Sequence, residues 1–338
     1  MELDRVASRF TSGSQQSLAI FEEGKENRPS NQSVHVKILL CTFNGERFLA
    51  EQLDSIAAQT HENWSVTVSD DGSSDRTIDI LREYKSRWGA EKLLIVDGPR
   101  AGFAQNFMSL VCDLEGRSDY YSWADQDDIW DAYKIERALE CIGRTPADTP
   151  VLYCGRTNIV TENGEPVGQS PLFKRPPSFC NSLVQSLAGG NTMVFNHSAQ
   201  KLLMSVGRKF PIVSHDWWAY LVITGVGGTV YYDKQPHLNY RQHAGNIVGA
   251  NSSFFARLKR LKMIFSGRFY DWNQKNIFAL ETMQYSLTMN NQRVLESFQK
   301  ARSGGVVTRV FYLKRSGVYR QTLLGGCALV FAVLCNAI

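Results

Sequence analysis

The 338-residue chain has no Cys-x-x-Cys pair, no glycine-rich basic phosphate loop and no internal repeat. It also has no uncharged apolar run of the roughly 20 residues that a membrane-crossing helix needs. Each absence removes a class. Seven cysteines (Cys41, Cys112, Cys141, Cys154, Cys180, Cys327 and Cys335) are scattered, so neither a zinc site nor a disulfide framework follows. A reducing compartment is the simplest expectation. The first strand-to-helix turn lacks a phosphate-cradling loop, which argues against a nucleotidyltransferase. Residues 1–33 are polar, without the apolar centre of a secretory signal, and read as a disordered extension. No nucleic-acid reader motif is recognisable, so nucleic acid is not an expected partner.

What is present is ordinary in bulk and uneven in detail. A chain with 43% hydrophobic and 21% charged residues suits a globular protein of one large or two modest domains. The net charge of +4 hides a division: residues 251–338 hold thirteen Lys and Arg against three Asp and Glu. The remainder holds 24 basic against 30 acidic residues. A basic C-terminal quarter on an acidic body suggests contact with an anionic surface, or simply a solvated helical region. The end of the chain, TLLGGCALVFAVLCNAI from Thr322, is apolar and follows Lys314, Arg315 and Arg320. It suits a segment lying in a membrane interface, or a helix that packs on the core or against a second copy.

Strand and helix patterns alternate four times in the first half. Val34–Cys41, Trp64–Ser69, Leu93–Val96 and Tyr120–Ala124 read as strands. Helical spacing covers Glu46–Gln59, Arg76–Trp88 and Ala104–Cys112. That order predicts an α/β layer with a mostly parallel sheet, whose ligands gather at the carboxyl ends of its strands. Thr42–Gly45, Asp70–Asp75 and Asp125–Asp128 all follow strands and therefore share one edge. Later segments are less regular: short strands at Val151–Tyr153, before Phe195, at Gly228–Asp233 and at Leu238–His243, a helix entered at Ser214, and helix dominating from Phe254.

Four constellations carry chemistry. In Tyr121–Trp130, YSWADQDDIW, three carboxylates crowd between aromatic residues. Like charges so close call for either a shared cation or full exposure to water. Alternate residues of an extended segment point the same way, so Asp125 and Asp127 can converge on Mg²⁺ or Mn²⁺, with a diphosphate completing the shell. Asp70-Asp71-Gly72-Ser73 offers carboxylates for a base or ribose, or caps for the next helix. In His215-Asp216-Trp217-Trp218 an Asp beside bulky aromatics gains basicity on desolvation, or merely caps a helix. Arg241 and His243 offer a guanidinium and an imidazole suited to a diphosphate or a metal.

The motifs CTFNGERFLAEQLDSIAAQT, VSDDGSSDRT, WADQDDIW, GGNTMVFN, HDWW and YRQHAGN, in that order over Val36–Gly249, resemble the inverting family 2 glycosyltransferases. The subgroup they are most similar to is the bacterial rhamnosyltransferases of polysaccharide assembly. The resemblance implies a GT-A fold, Rossmann-like in its nucleotide-sugar part, over residues 34–250; the basic helical region at 251–338 is read from charge and helical pattern alone. The resemblance implies that Thr42, Asn44, Glu46, Asp70 and Asp71 line the donor nucleotide pocket. Asp125, Asp127 and His243 would hold Mg²⁺ or Mn²⁺, and Arg241 would face the diphosphate. Asp216 would be the general base, while Gly190, Asn191, Thr192, His215 and Trp217 shape the donor-sugar and acceptor side. The expected donor is dTDP-L-rhamnose, with a UDP-sugar as the alternative, and the acceptor a glycan or lipid-linked hydroxyl. The expected place is the cytoplasm at the inner face of the membrane, with peripheral contact through the C-terminal region. A non-catalytic glycan-binding partner is the reading from another class; it predicts a lost metal or base position, and all three aspartates are present.

Overall fold

Apolar residues at both parities of the first strand make it a central one. In β1 (Val36–Thr42) Val36, Ile38 and Leu40 enter one core, while Leu39 and Cys41 enter another on the opposite face. A strand covered on both faces reads as a continuous apolar run, and parallel sheets need that cover. The computed structural model describes residues 33–113, 116–207, 210, 212–243 and 267–338. The extension expected over residues 1–33, but for Ser33, and the helix expected from Phe254 up to residue 266 lie outside the described residues.

The first half alternates as its periodicity predicts: α1 (Leu49–Ala57), β2 (Trp64–Asp70), α2 (Thr77–Trp88), β3 (Leu93–Asp97), α3 (Phe103–Cys112) and β4 (Tyr120–Ala124). α1 starts three residues later than the apolar spacing suggests. The amides of residues 44–46 instead donate to Ser73, Thr77 and Asp75, in the loop after β2 and the start of α2. After the aspartates come β5 (Ile129–Trp130), α4 (Lys134–Ile142), β6 (Val151–Gly155), β7 (Asn158–Val160) and β8 (Pro166–Gln169). Then follow α5 (Phe179–Ser182), β9 (Val194–Asn196), α6 (His197–Val206), α7 (His215–Gly225), β10 (Thr229–Asp233) and β11 (Leu238–Arg241). Four C-terminal helices close the described chain: α8 (Arg268–Thr282), α9 (Met289–Ala301), α10 (Val306–Ser316) and α11 (Leu323–Leu334).

Seven strands form one sheet in the order β10-β6-β9-β4-β1-β2-β3. Every pairing in it is parallel except those of β9, which runs antiparallel to both β4 and β6. A second sheet, β5-β11-β7-β8, was not foreseen in the region of Pro166. β11 runs antiparallel to β5 with Leu238 opposite Trp130 and Asn239 opposite Ile129. Continuing that register carries Arg241 and His243 back alongside the aspartates that precede β5. This small sheet is what brings two distant motifs together.

Candidate active site

The carboxyl ends of β1, β2 and β4 deliver their loops to one edge, as the parallel register requires. The buried Cys41 thiol has its pKa pushed up by burial first, then by the carboxylates of Asp125 and Asp71. Residues from three separate loops therefore surround the end of one strand. The loop after β1 is laced to the loop after β2. Asn44 N–H donates to Ser73 Oγ at 2.8 Å, and Ser74 N–H donates to Asn44 Oδ1 at 2.8 Å. Glu46 Oε2 accepts from Arg76 N–H at 3.0 Å. Asn44 takes φ of 48°, a left-handed conformation that Asn tolerates better than most residues.

The two aspartates after β2 do different work. Asp70 is buried and accepts from Thr42 Oγ1 at 2.8 Å and from the Gly72 and Ser73 amides at 3.1 and 2.8 Å. It shapes the turn. Asp71 accepts from the Arg100 amide at 2.6 Å and the Gly102 amide at 3.2 Å, which fastens the loop after β3 to the pocket edge. Asp75 caps α2, accepting from the Thr77 amide at 3.0 Å.

The aspartate cluster splits three ways. Asp125 is half-buried, and its pKa is raised by desolvation and then by the charges of Asp127 and Asp216. Asp127 Oδ2 lies 2.7 Å from His243 Nε2. Asp128 is fully buried, and its Oδ2 accepts from Asn191 Nδ2 at 2.6 Å. Burial, then Asp125 and Asp127, raise its pKa as well. Among the described residues no three His, Cys, Asp or Glu side chains form a ready-made metal cage.

Across the edge, Gly190–Thr192 forms a buried 3₁₀ turn ahead of β9. Thr192 Oγ1 accepts from the Gly155 amide at 3.2 Å and donates to Gly189 O at 2.9 Å. Gly190 has to be glycine: a Cβ there would stand 2.0 Å from His215 Nε2. The His215 ring stacks on Phe107 at 3.9 Å and meets Trp123 edge-on at 4.7 Å. Neither ring nitrogen has a hydrogen-bond partner among the described residues, and burial lowers its pKa to about 3, which favours the neutral ring. Asp216 follows it in the first turn of α7, with Oδ1 accepting from the Trp217 amide at 2.7 Å. Desolvation raises its pKa against the hydrogen bonds from Ser214 and neighbours that lower it. Trp217 is buried and donates through Nε1 to Ser182 O at 2.6 Å.

The chain also has relatives among known proteins. Residues 37–203 match the family described as Glycosyl transferase family 2. The dTDP-rhamnosyl transferase RfbG of Shigella flexneri is 30% identical over 237 residues, covering 67% of this chain and 78% of that protein. The chain belongs to glycosyl transferase family 2. An uncharacterised glycosyltransferase of Rickettsia prowazekii (strain Madrid E) is 21% identical over 321 residues, 84% of this chain and 92% of its own. The crystal structure of S. aureus TarS 1-349 in complex with UDP-GlcNAc shares the fold at 15% identity, with a TM-score of 0.50 over 84% of this chain and 93% of that one. The architecture is that of GT-A glycosyltransferases, with a mostly parallel seven-stranded sheet and C-terminal helices.

In this family 2 glycosyltransferase Arg241 is placed differently from a free diphosphate ligand. It is buried; its Nε donates to Asp127 O at 3.1 Å, Nη1 to Glu162 O and Nη2 to Glu51 Oε2. Arg241 thereby ties the aspartate loop to Glu51 of α1 and to the Glu162 backbone. Sequence reasoning also passed over Gln126. Its amide pairs with the Phe43 backbone in both directions, at 2.8 and 3.0 Å, and pins the loop after β1. Alternation along an extended segment could have flagged it, since Gln126 must point away from Asp125 and Asp127. Arg100 was missed too: a Cβ on Gly72 would come within 3.1 Å of its Nε, so the exposed guanidinium arm lies over the turn after β2.

Proposed function

We propose that the protein transfers L-rhamnose from dTDP-L-rhamnose to a hydroxyl of a glycan or lipid-linked acceptor, with inversion, in polysaccharide assembly at a membrane face. The observation that carries the reading is electrostatic. Asp125 feels both Asp127, beside His243, and Asp216 across the edge, so the donor-side and acceptor-side carboxylates belong to one centre. The rhamnose assignment is supported by the likeness to a protein named as a dTDP-rhamnosyl transferase. Residues 34–250 form the catalytic part in this reading, and 251–338 an accessory helical part.

The donor set fits a divalent ion. Asp125 and Asp127 supply hard oxygen atoms and His243 an imidazole nitrogen, and like charges crowd where a cation would relieve them. Mg²⁺ or Mn²⁺ held there would neutralise charge on the departing nucleoside diphosphate. Thr42, Asn44, Glu46, Asp70 and Asp71 shape the nucleotide end. Gly190, Asn191, Thr192 and Trp217 line the sugar and acceptor side.

Asp216 takes the proton of the acceptor hydroxyl. The hydroxyl oxygen bonds to the anomeric carbon as the bond from that carbon to the diphosphate oxygen breaks in line, which inverts the centre. A carboxylate whose proton affinity is raised by burial is a stronger base than one in water. The test compares thermal stabilisation by dTDP and UDP with Mg²⁺ or Mn²⁺, since a ligand's stabilisation grows with the logarithm of its concentration over its dissociation constant. Metal-dependent stabilisation that favours dTDP is expected. Stabilisation by UDP alone replaces the donor with a UDP-hexose.

A further inference from the structure

The last helix is apolar on both sides, and the described residues cover only one of them. Leu329, Ala332 and Val333 of α11 pack into the main core. On the opposite side Leu323 is 88% exposed and Leu324 67%, with Val330 and Leu334 also exposed. A surface helix normally turns charged or polar residues outward, and a contiguous exposed apolar face marks an interaction site. A groove of about 750 Å³ runs along this face, bordered by Arg175, Tyr319 and Arg320. Residues 297–338 hold six Lys and Arg and no Asp or Glu. Lys314 and Arg315, at the end of α10, are exposed.

This face is tied firmly to the acceptor side of the site. Gln321 exchanges two hydrogen bonds with the Arg175 backbone, at 3.2 and 3.0 Å. Asn181 Nδ2 donates to Tyr319 O at 2.9 Å, and Ser178 Oγ donates to the Tyr319 hydroxyl at 2.9 Å. α5 is thereby held to the segment between α10 and α11. On its other side α5 meets α7: Trp217 Nε1 reaches Ser182 O, and the Tyr220 hydroxyl donates to Asn181 Oδ1 at 3.1 Å. The helix that carries Asp216 is separated from the exposed face by one short helix.

We infer that the outer face of α11, with Arg175 and Arg320 beside its groove and Lys314 and Arg315 exposed at the end of α10, docks on an anionic lipid bilayer and so holds α7 beside membrane-anchored acceptors. The second clause rests on the acceptor role proposed for Asp216; the docking itself does not. α11 has 12 residues, about 18 Å of helix against a hydrocarbon core of about 30 Å, so it lies in the interface rather than crossing it. No helix among the described residues is long and apolar enough to cross. Charge decides the occupant. Phosphate headgroups complement a rim of cations, whereas a second copy of this chain would set the same cations against each other without one acidic partner from residues 297–338.

The test is cosedimentation of the full chain with vesicles of phosphatidylcholine alone or mixed with phosphatidylglycerol. Binding to the anionic vesicles is expected to be at least about tenfold tighter, with the preference falling as salt rises. Leu323→Glu/Leu324→Glu and, separately, Lys314→Gln/Arg315→Gln are each expected to weaken it about tenfold or more while the unfolding temperature stays near that of the parent. Equal binding to both vesicles, unaltered binding by both variants, or a dimer in sedimentation velocity that the Leu variant abolishes would each overturn the proposal. Metal-dependent dTDP stabilisation, followed in the same samples, reports on the transferase reading separately. Vesicle binding without it leaves the docking face standing and removes the donor assignment.

Discussion

Asp216 is half-buried at the start of α7, and its titration is the chemistry that the proposal uses. Because burial raises its pKa, the acid limb of kcat/KM is expected at a pH above the usual carboxylate range of about 4. The same shift has a stability sign. The folded protein binds this proton more tightly than the unfolded chain, so its contribution falls as pH rises from the unfolded pKa through the raised folded one. Asp216→Asn is therefore expected to lose roughly 10²- to 10⁴-fold in turnover without lowering the unfolding temperature at neutral pH. A pH-rate profile and thermal melts of both proteins check it; loss of turnover together with a collapsed melt would mark a structural role. These aspartates were legible in the sequence because each directly follows a strand or opens a helix. The bond from Asn191 to Asp128 was not, since it spans 63 residues and no local pattern records such a pairing.

Short elements set the geometry, and they are where sequence reading was weakest. The strand expected at Leu238–His243 is β11, but its partner β5 has two residues, too few for a period to declare itself, and their antiparallel register is what carries His243 to Asp127. The long strands and helices of the first half were plain because β1, β2 and β4 are buried over most of their length and α1 to α3 keep an apolar stripe. Gln126→Ala removes two hydrogen bonds that pin the loop after β1. A cost of about 1 kcal/mol in stability is expected, because the pair is exposed, together with weaker nucleotide binding. Denaturant unfolding and a nucleotide titration measure both. Gly190→Ala is expected to cost about 1–3 kcal/mol, since its methyl overlaps His215, which Phe107 and Trp123 box in. Adding His215→Ala should recover part of that loss, and a double-mutant cycle with no coupling would separate the two residues.

At the scale of the whole molecule, charge and connectivity divide the labour. The acidic edge of the large sheet collects three aspartates around one centre, while the C-terminal helices present cations and an apolar face elsewhere. The GT-A architecture followed from alternation in the first half and from the order of six motifs. The second sheet did not, because β8 is wholly exposed and begins at Pro166, which hides it among turn residues. Release of nucleoside diphosphate from a panel of nucleotide sugars, with Mg²⁺ or Mn²⁺ and with EDTA, tests the central claim most directly. The account predicts metal-dependent release from dTDP-L-rhamnose that Asp216→Asn abolishes. Release confined to UDP-sugars, or undiminished by EDTA or by that substitution, would contradict it.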